Sequence, residues 1–208
     1  MQRILALDLS TSRTGLALFG REDPDHKLVE YSAVEHDDVI ASYGAYPFSF
    51  ITALSLMADR VAARIEELRP DIIVIEETNS SKARYTQKAL EMLHCLVLQH
   101  LQRLGYTSET VKYISTGVWR RATGIELTKE QKKQNARLSV AKRRAALRGE
   151  KLDKVALGIT GKVSKKHVAV ITVNNRFGLA LKQKDNDIAE AICLGLAYAL
   201  GAQVCNGK

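Results

Sequence analysis

The sequence predicts an α/β domain built on a five-stranded mixed sheet, in which three antiparallel strands are followed by two parallel strands and helices cover the faces. Three consecutive strand patterns with short turns occupy residues 2–34. After them, helical and strand patterns alternate, as they do where helices connect parallel strands. A length of 208 residues supports one such core. We therefore assign residues 1–208 to a single domain with a basic insertion at about 126–165.

The first three strands are predicted at residues 2–8, 15–19 and 27–34. Each is a short segment with several apolar residues, and the connections between them are too short for a crossover helix. These strands should therefore form an antiparallel meander.

The next segment predicts a helix followed by a central strand. Leu54, Met57 and Val61 recur at helical spacing, and the pattern ends before Pro70. Residues 71–75 form a mostly apolar run without alternation, which is typical of a strand that is buried on both faces. This strand should lie in the middle of the sheet.

The C-terminal half predicts four further helices and one more strand. The helices are expected at 84–104, 118–122, 129–148 and 187–200, and the fifth strand at 110–114. The helix at 187–200 is apolar around most of its circumference, so it should be largely buried. The helix at 129–148 is polar and belongs to the insertion.

Positive charge is concentrated in one part of the chain. Residues 129–166 contain 13 Lys or Arg and three acids, whereas the net charge of the whole chain is +8. The rest of the chain is therefore close to neutral. A single cationic segment favours a polyanionic partner, and the alternatives are a solvated helical arm or a nuclear or membrane address.

Cysteine usage and the N-terminal sequence predict a soluble intracellular protein, cytoplasmic in its host. Cys95, Cys193 and Cys205 are far apart and form no Cys-x-x-Cys pair, so neither a disulfide framework nor a zinc site is indicated. The N-terminus resembles no signal peptide, and no apolar run approaches the length of a membrane span.

Acidic residues stand where two of the predicted strands end. Asp8 closes the apolar run at 4–7, and Glu76 and Glu77 close the central strand. A charged group at the end of a buried strand is costly unless it is paired, and a divalent cation is a usual partner. Strand alternation directs the two glutamates to opposite faces, and we select Glu76. The alternative for Asp8 is a turn residue that caps the backbone.

A second pair of acids lies at the start of the last helix. Asp187 and Glu190 are three residues apart and share a helical face, whereas Asp185 lies about 200° away from Asp187. We therefore select Asp187 and Glu190. Carboxylates that converge without cations would repel one another, so their convergence would require metal. Two Mg²⁺ ions held by such a cluster can activate water and stabilise a leaving 3′ oxygen, which is nuclease chemistry.

With these motifs, the sequence resembles the RuvC-type Holliday junction resolvases of the RNase H-like superfamily, particularly the phage-encoded members. The matching segments are Ile4-Leu5-Ala6-Leu7-Asp8 with Gly15 on the next strand, Ile73-Val74-Ile75-Glu76, and Asp187-Ile188-Ala189-Glu190. The resemblance covers most of residues 1–125 and 165–201. It implies an RNase H-like five-stranded sheet, and it leads us to expect a helix at 167–177, although five β-branched residues there favour a strand.

The resemblance also implies a function and a set of site residues. It implies a two-fold symmetric homodimer that makes paired nicks in four-way DNA junctions and depends on Mg²⁺, with two ions per active site, or on Mn²⁺. Asp8, Glu76, Asp187 and Glu190 match the catalytic, metal-binding acids by position. The residues expected to contact DNA, largely through phosphate, are Lys82, Arg84, Tyr85, Arg120, Arg121, Lys132 and Lys133.

The chain departs from the family pattern in three places. The last acid is Glu190 where the bacterial enzymes have Asp, which lengthens the ligand by one methylene group. The segment at 78–81 lacks the aromatic wedge that follows the second acid in the bacterial enzymes, so either Tyr85 replaces it or the wedge is absent. Residues from about 140 to 164 have no counterpart in the family.

Other functions are compatible with parts of this pattern. Actin-like ATPases and sugar kinases share the sheet and open with a similar acid and Ser/Thr loop, but they need a second lobe, and no second copy of the 8–15 pattern is present. The remaining alternatives are an RNase H-like enzyme that acts on other DNA or on RNA, and a DNA-binding module that has kept the fold without catalysis.

Overall fold

The computed structural model describes residues 2–22, 25–35, 44–77, 84–150 and 161–205. The strands are β1 (Arg3–Asp8), β2 (Arg13–Glu22), β3 (Asp25–Glu35), β4 (Ile72–Glu77) and β5 (Val111–Ser115). The helices are α1 (Phe48–Leu68), α2 (Arg84–Arg103), α3 (Thr116–Ala122), α4 (Lys129–Leu147), α5 (Lys165–Phe177) and α6 (Asn186–Ala199), with a single 3-10 turn at Gln183–Asp185.

The five strands form one mixed sheet in the order β3-β2-β1-β4-β5. β1 pairs antiparallel with β2, and β2 pairs antiparallel with β3. β1 and β4 are parallel, and so are β4 and β5. The predicted sheet of three antiparallel and two parallel strands is therefore confirmed. β2 extends beyond the predicted 15–19 because its polar ends still pair with β3.

Side-chain alternation on β1 divides the core into two layers. Ile4 and Ala6 are buried in the layer that contains α6 and part of α5, while Leu5 and Leu7 are buried in the layer formed by α1 and α2. Because β1 has a helical layer on each face, it has no solvent-exposed side in its apolar stretch. This placement carries Asp8, at the carboxyl end of β1, to the margin of the core.

The apolar stripe of α2 is part of this core. Leu93, Val97 and Leu101 are buried against the sheet and α1, while Leu90 is half-buried. An apolar stripe on a helix can serve as a dimer interface, but this one packs within the chain and so offers no argument for a dimer. The predicted homodimer then depends on the resemblance alone.

α5 is a helix, as the resemblance predicted and against its β-branched composition. Ser164 caps its first turn by accepting a hydrogen bond from the backbone N–H of His167 at 3.2 Å. Gly178 ends it in the left-handed conformation, with φ of 66°. Ala169, Val170 and Val173 form a buried face in the α6 layer. Caps and one-sided packing therefore outweigh intrinsic propensity here.

α6 approaches the sheet closely because two glycines leave room for it. A Cβ atom on Gly15 would lie 2.1 Å from the backbone oxygen of Asp187, and one on Gly195 would lie 2.5 Å from the Phe19 ring. Gly15 also pairs with Asp8 across β1 and β2. The first turn of α6 is therefore held directly beside the end of β1.

Among the described residues, no helix is long and apolar enough to span a bilayer.

Substitution of Gly15 tests this close approach. We expect Gly15→Ala to lower the free energy of unfolding by about 1–3 kcal/mol, because the added methyl group overlaps backbone atoms that cannot rotate away. Urea denaturation measures the effect. Gly117→Ala is the matched control, since its Cβ would meet nothing closer than Arg121 Nη1 at 3.8 Å. Equal stability of the two variants would contradict the proposed packing of α6.

Candidate active site

Three of the four predicted acids meet at the carboxyl end of β1. Asp8, Asp187 and Glu190 each offer a carboxylate oxygen, and these atoms all lie within 4.8 Å of one another. Asp187 and Glu190 lie one helical turn apart at the start of α6, and Glu190 is buried. We call these three residues the carboxylate group. Hard oxygen donors at this spacing suit a divalent cation such as Mg²⁺.

Glu76 lies on the neighbouring strand in the same cleft. Leu7 pairs with Ile75 in the parallel β1–β4 ladder, which places Asp8 and Glu76 at equivalent strand ends. Glu76 accepts a hydrogen bond from the Thr116 hydroxyl group. Glu76 is not one of the residues whose carboxylate oxygens all lie within 4.8 Å of one another, but its charge raises the pKa of Asp8.

Neither of the alternative acids, Glu77 and Asp185, belongs to the carboxylate group. Glu77 is exposed, and its carboxylate faces Cys205 Sγ at 3.3 Å. Asp185 accepts hydrogen bonds from the backbone N–H of Lys182 at 2.9 Å and from Arg13 Nη2 at 3.1 Å. Arg13 Nη1 also lies 3.8 Å from Asp187 Oδ2, so it bridges the two aspartates.

Burial and mutual repulsion disfavour the charged forms of Asp8 and Glu76. Although Asp8 as a residue is only half-buried, its carboxyl group lies deep among protein atoms, and this desolvation raises its pKa well above the usual range. The charges of Glu76 and Glu190 raise it further. Burial likewise raises the pKa of Glu76, with Thr116 opposing the shift. The arrangement therefore favours binding of a compensating cation.

Two cationic side chains already supply part of this compensation. Lys166 Nζ lies 2.9 Å from Glu190 Oε2 and 3.2 Å from Asp187 Oδ1. Burial alone would lower the pKa of Lys166, but Glu190 and Asp187 raise it on balance. Arg120 Nη2 lies 2.8 Å from Glu190 Oε1, and its guanidinium carbon lies 4.9 Å from the centre of the Trp119 ring. Glu190 is thus held between two cations.

Asp8, Glu76 and Glu77 line a cleft of about 520 Å³ that also contains a histidine. His94 of α2 lies on the wall of the cleft, stacked on Tyr113 with ring centres 5.9 Å apart. Burial lowers the pKa of His94 to about 4, so the imidazole is neutral at pH 7. A neutral imidazole beside the acids adds no charge to the cleft.

The residues predicted to contact DNA have different environments. Arg120 pairs with Glu190 in the structure, and its expected contact with phosphate stays a prediction. Arg121, Lys132 and Lys133 are exposed. Arg84 and Tyr85 are exposed at the start of α2, with the Tyr85 ring 5.3 Å from that of Phe50. Lys82 and the segment at 78–81 lie outside the described residues.

Lys166, Arg13 and His94 lie at the site but were not predicted from the sequence. A signal for Lys166 did exist, because a lysine in the first turn of a helix opposes the helix dipole and so indicates an anion nearby. Arg13 stands at the start of a strand, where an arginine is unremarkable by sequence. His94 falls on the apolar stripe of α2, where burial is the ordinary expectation.

Comparison with known proteins identifies the fold. No protein-family model and no curated protein sequence matches this chain. Among solved structures, several that it resembles belong to the class of Holliday junction resolvases, and its five-stranded mixed sheet with flanking helices is an RNase H-like fold.

The similar structures come from a bacterium and from yeast. Thermus thermophilus RuvC in complex with a Holliday junction substrate has 12% sequence identity and a TM-score of 0.61, covering 99% of this chain and 100% of RuvC. A second structure of RuvC from the same organism has 14% identity and a TM-score of 0.60, covering 98% of this chain and 100% of RuvC. The yeast mitochondrial resolvase Ydc2 has 12% identity and a TM-score of 0.53, covering 96% of this chain and 78% of Ydc2.

The position of Lys166 leads to a prediction about metal binding. We expect Lys166→Gln to tighten Mg²⁺ binding by about fivefold or more, because removal of one positive charge near the ion is worth at least about 1 kcal/mol. In metal-free buffer the same variant should unfold about 2–4 °C lower, since Glu190 and Asp187 lose their partner. Calorimetric Mg²⁺ titration and thermal unfolding in EDTA measure the two effects.

Lys165→Gln is the matched control for this prediction. Lys165 is exposed and adjacent, and it makes no ion pair with any acid in the described part of the chain. Weaker Mg²⁺ binding by Lys166→Gln than by Lys165→Gln would contradict a competing role for the Lys166 ammonium group.

Proposed function

We propose that this protein is a divalent-metal-dependent endonuclease that resolves Holliday junctions and related branched DNA by paired hydrolysis of phosphodiester bonds. The observation that supports the proposal most strongly is the carboxylate group together with Glu76 at one end of an RNase H-like sheet. The fold likeness to RuvC and Ydc2 over nearly the whole chain supports the choice of substrate.

The donor set fits the metal ions that the proposal requires. Asp8, Asp187 and Glu190 would hold one ion, and Asp8 with Glu76 a second, with Mg²⁺ preferred and Mn²⁺ accepted by the same hard oxygen ligands. When bound, such ions supply an activated water and neutralise charge on the departing oxygen. No protein nucleophile is needed, because the activated water supplies the attacking oxygen.

The protein's own cations would act on the substrate and on the acids. Lys166 and Arg120 hold Glu190 and Asp187 in place, so the carboxylates keep their orientation before an ion binds. Lys165 lines the cleft and Arg121 is exposed on α3, and both would pair with phosphate oxygens. The attacking water breaks the bond from phosphorus to the 3′ oxygen and leaves a 5′ phosphate, so the nicked ends can be ligated.

Paired cutting requires two active sites. The described residues contain a single group of acids at metal-binding spacing, so we propose that two copies of the chain act together as a homodimer. The two copies would cut strands of like polarity across the junction. Each copy would be one domain with the basic insertion at about 126–165.

A cleavage panel tests this function. Purified protein with Mg²⁺ should cut a synthetic four-way junction in preference to a flap, a linear duplex and an RNA–DNA hybrid. Asp8→Asn should lower the rate by more than about 100-fold, since even loss of an outer-shell partner costs 10- to 100-fold. Binding of the junction in Ca²⁺ should persist, because the substitution leaves the basic surfaces intact.

Glu77→Gln is the control, because Glu77 follows Glu76 directly but lies outside the carboxylate group. Its cleavage rate should stay within about twofold of the wild type. Undiminished cutting by Asp8→Asn would overturn the proposed mechanism. Preferential cutting of the RNA–DNA hybrid would overturn the proposed substrate, and ATP hydrolysis would favour the actin-like alternative.

A further inference from the structure

We propose that the outward face of α4 binds the phosphate backbone of a DNA arm at a distance from the bond that is cut. This inference rests on the proposed function in taking DNA as the polyanion. We define the α4 cationic face by six residues that are all exposed: Lys129, Lys132, Lys133, Arg137, Arg143 and Arg144.

The burial pattern of α4 defines this face. Leu138 and Ala145 are its buried residues, and they lie on one stripe, seven positions apart. At 100° per residue, the six cations lie roughly 100–180° around the helix from Leu138. The positive charges therefore point away from the side by which the helix is attached.

The charge on this face has no compensation within the described part of the chain. None of the six cations forms an ion pair there, and the nearest acid in the helix, Glu130, lies in the first turn. Lys129, Lys133 and Arg137 follow one another at four-residue spacing, where like charges destabilise a helix. A face that served only solubility would carry both signs, whereas a run of one sign suits a polyanion.

α4 is nevertheless a well-fixed helix. Thr128 and Gln131 form a capping box at its N-terminus. The Asn135 side chain bonds both backbone groups of Val163, donating to the carbonyl at 2.7 Å and accepting from the N–H at 3.0 Å. Gln134 donates to the carbonyl of Gly161 at 3.2 Å. These bonds lie on the attached side of the helix.

The segment held by Asn135 leads directly to the active site. Val163 precedes Ser164, which caps α5, and Lys166 in the first turn of α5 contacts the carboxylate group. α4 is thus joined to the part of the chain that positions Lys166. DNA bound on α4 would therefore be held by a helix that is connected directly to the active site.

The dimensions and composition of the face fit duplex DNA. Lys129 and Arg144 are about 22 Å apart along the axis at 1.5 Å per residue, which corresponds to six or seven base pairs. α4 contains no aromatic residue on which an unpaired base could stack. This surface can therefore contact successive phosphates of a double-stranded arm without contacting the bases.

A charge-neutralised variant tests the inference. The α4 variant is Lys133→Gln/Arg137→Gln/Arg144→Gln. The control is Arg21→Gln/Lys27→Gln/Arg103→Gln, which removes three exposed cations at the end of the sheet opposite to Asp8. Dissociation constants for a four-way junction and a linear duplex are measured in Ca²⁺ across a series of salt concentrations. Thermal unfolding confirms that both variants are folded, and the α4 variant should be no less stable than the wild type because repulsion is relieved.

The α4 variant should bind both DNAs more weakly and with a salt slope that is flatter by about two to three, since each lost phosphate contact lowers the slope by about 0.9. The control should match the wild type. Equal slopes for the two variants would overturn the inference. A second result would also overturn it: the α4 variant loses binding to vesicles rich in anionic lipid but binds DNA as the wild type does. The partner would then be a membrane surface.

The outcome is separable from that of the proposed function. If the wild type binds DNA through α4 but cuts no branched substrate, the inference stands and the proposed function fails. If it cuts junctions while both variants bind alike, the proposed function stands and this inference fails. Absence of any DNA binding by the wild type would overturn both.

Discussion

Mutual repulsion among buried carboxylates is the constraint around which this molecule is arranged. Asp8, Glu76, Asp187 and Glu190 come from three elements that are far apart in sequence, and each would be better solvated in the unfolded chain. Their proximity persists because the two apolar layers fix β1, β4 and α6. The raised pKa of Asp8 is the electrostatic consequence of this packing.

Two features make the arrangement possible. Gly15 lets the first turn of α6 lie against β2, where any larger residue would push Asp187 away from Asp8. Lys166 and Arg120 then neutralise part of the charge on Glu190, the most buried of the acids. The apolar core therefore holds the acids together, while the protein's own cations neutralise only part of their negative charge. This is the state expected of a centre that binds divalent metal.

Much of the fold could be predicted from the sequence, because apolar spacing and breaks at glycine and proline determine the elements. The acids were selected by the same reasoning, since strand alternation favours Glu76 over Glu77 and helical phase favours Asp187 and Glu190 over Asp185. In the structure, Asp8, Asp187 and Glu190 group within 4.8 Å. α5 shows where local rules fail, since its β-branched residues favour a strand while its caps and its packing beneath α6 make it a helix.

The remaining site features depended on tertiary contacts that no local pattern encodes. The ion pair of Arg120 with Glu190 depends on how α3 packs against α6, which the sequence of α3 does not indicate. Lys166 reaches the acids because Ser164 starts α5 at that point. The charge on α4 was evident from sequence, whereas the side of the helix left facing solvent required the structure.

The most direct test of the central claim is anomalous diffraction from crystals of the protein grown with Mn²⁺. The account predicts manganese peaks within coordinating distance of carboxylate oxygens of Asp8, Asp187 and Glu190, with a second peak shared by Asp8 and Glu76. The account is contradicted if the four acids hold no ion although manganese binds elsewhere at full occupancy. In that case Lys166 would keep its contacts with Asp187 and Glu190.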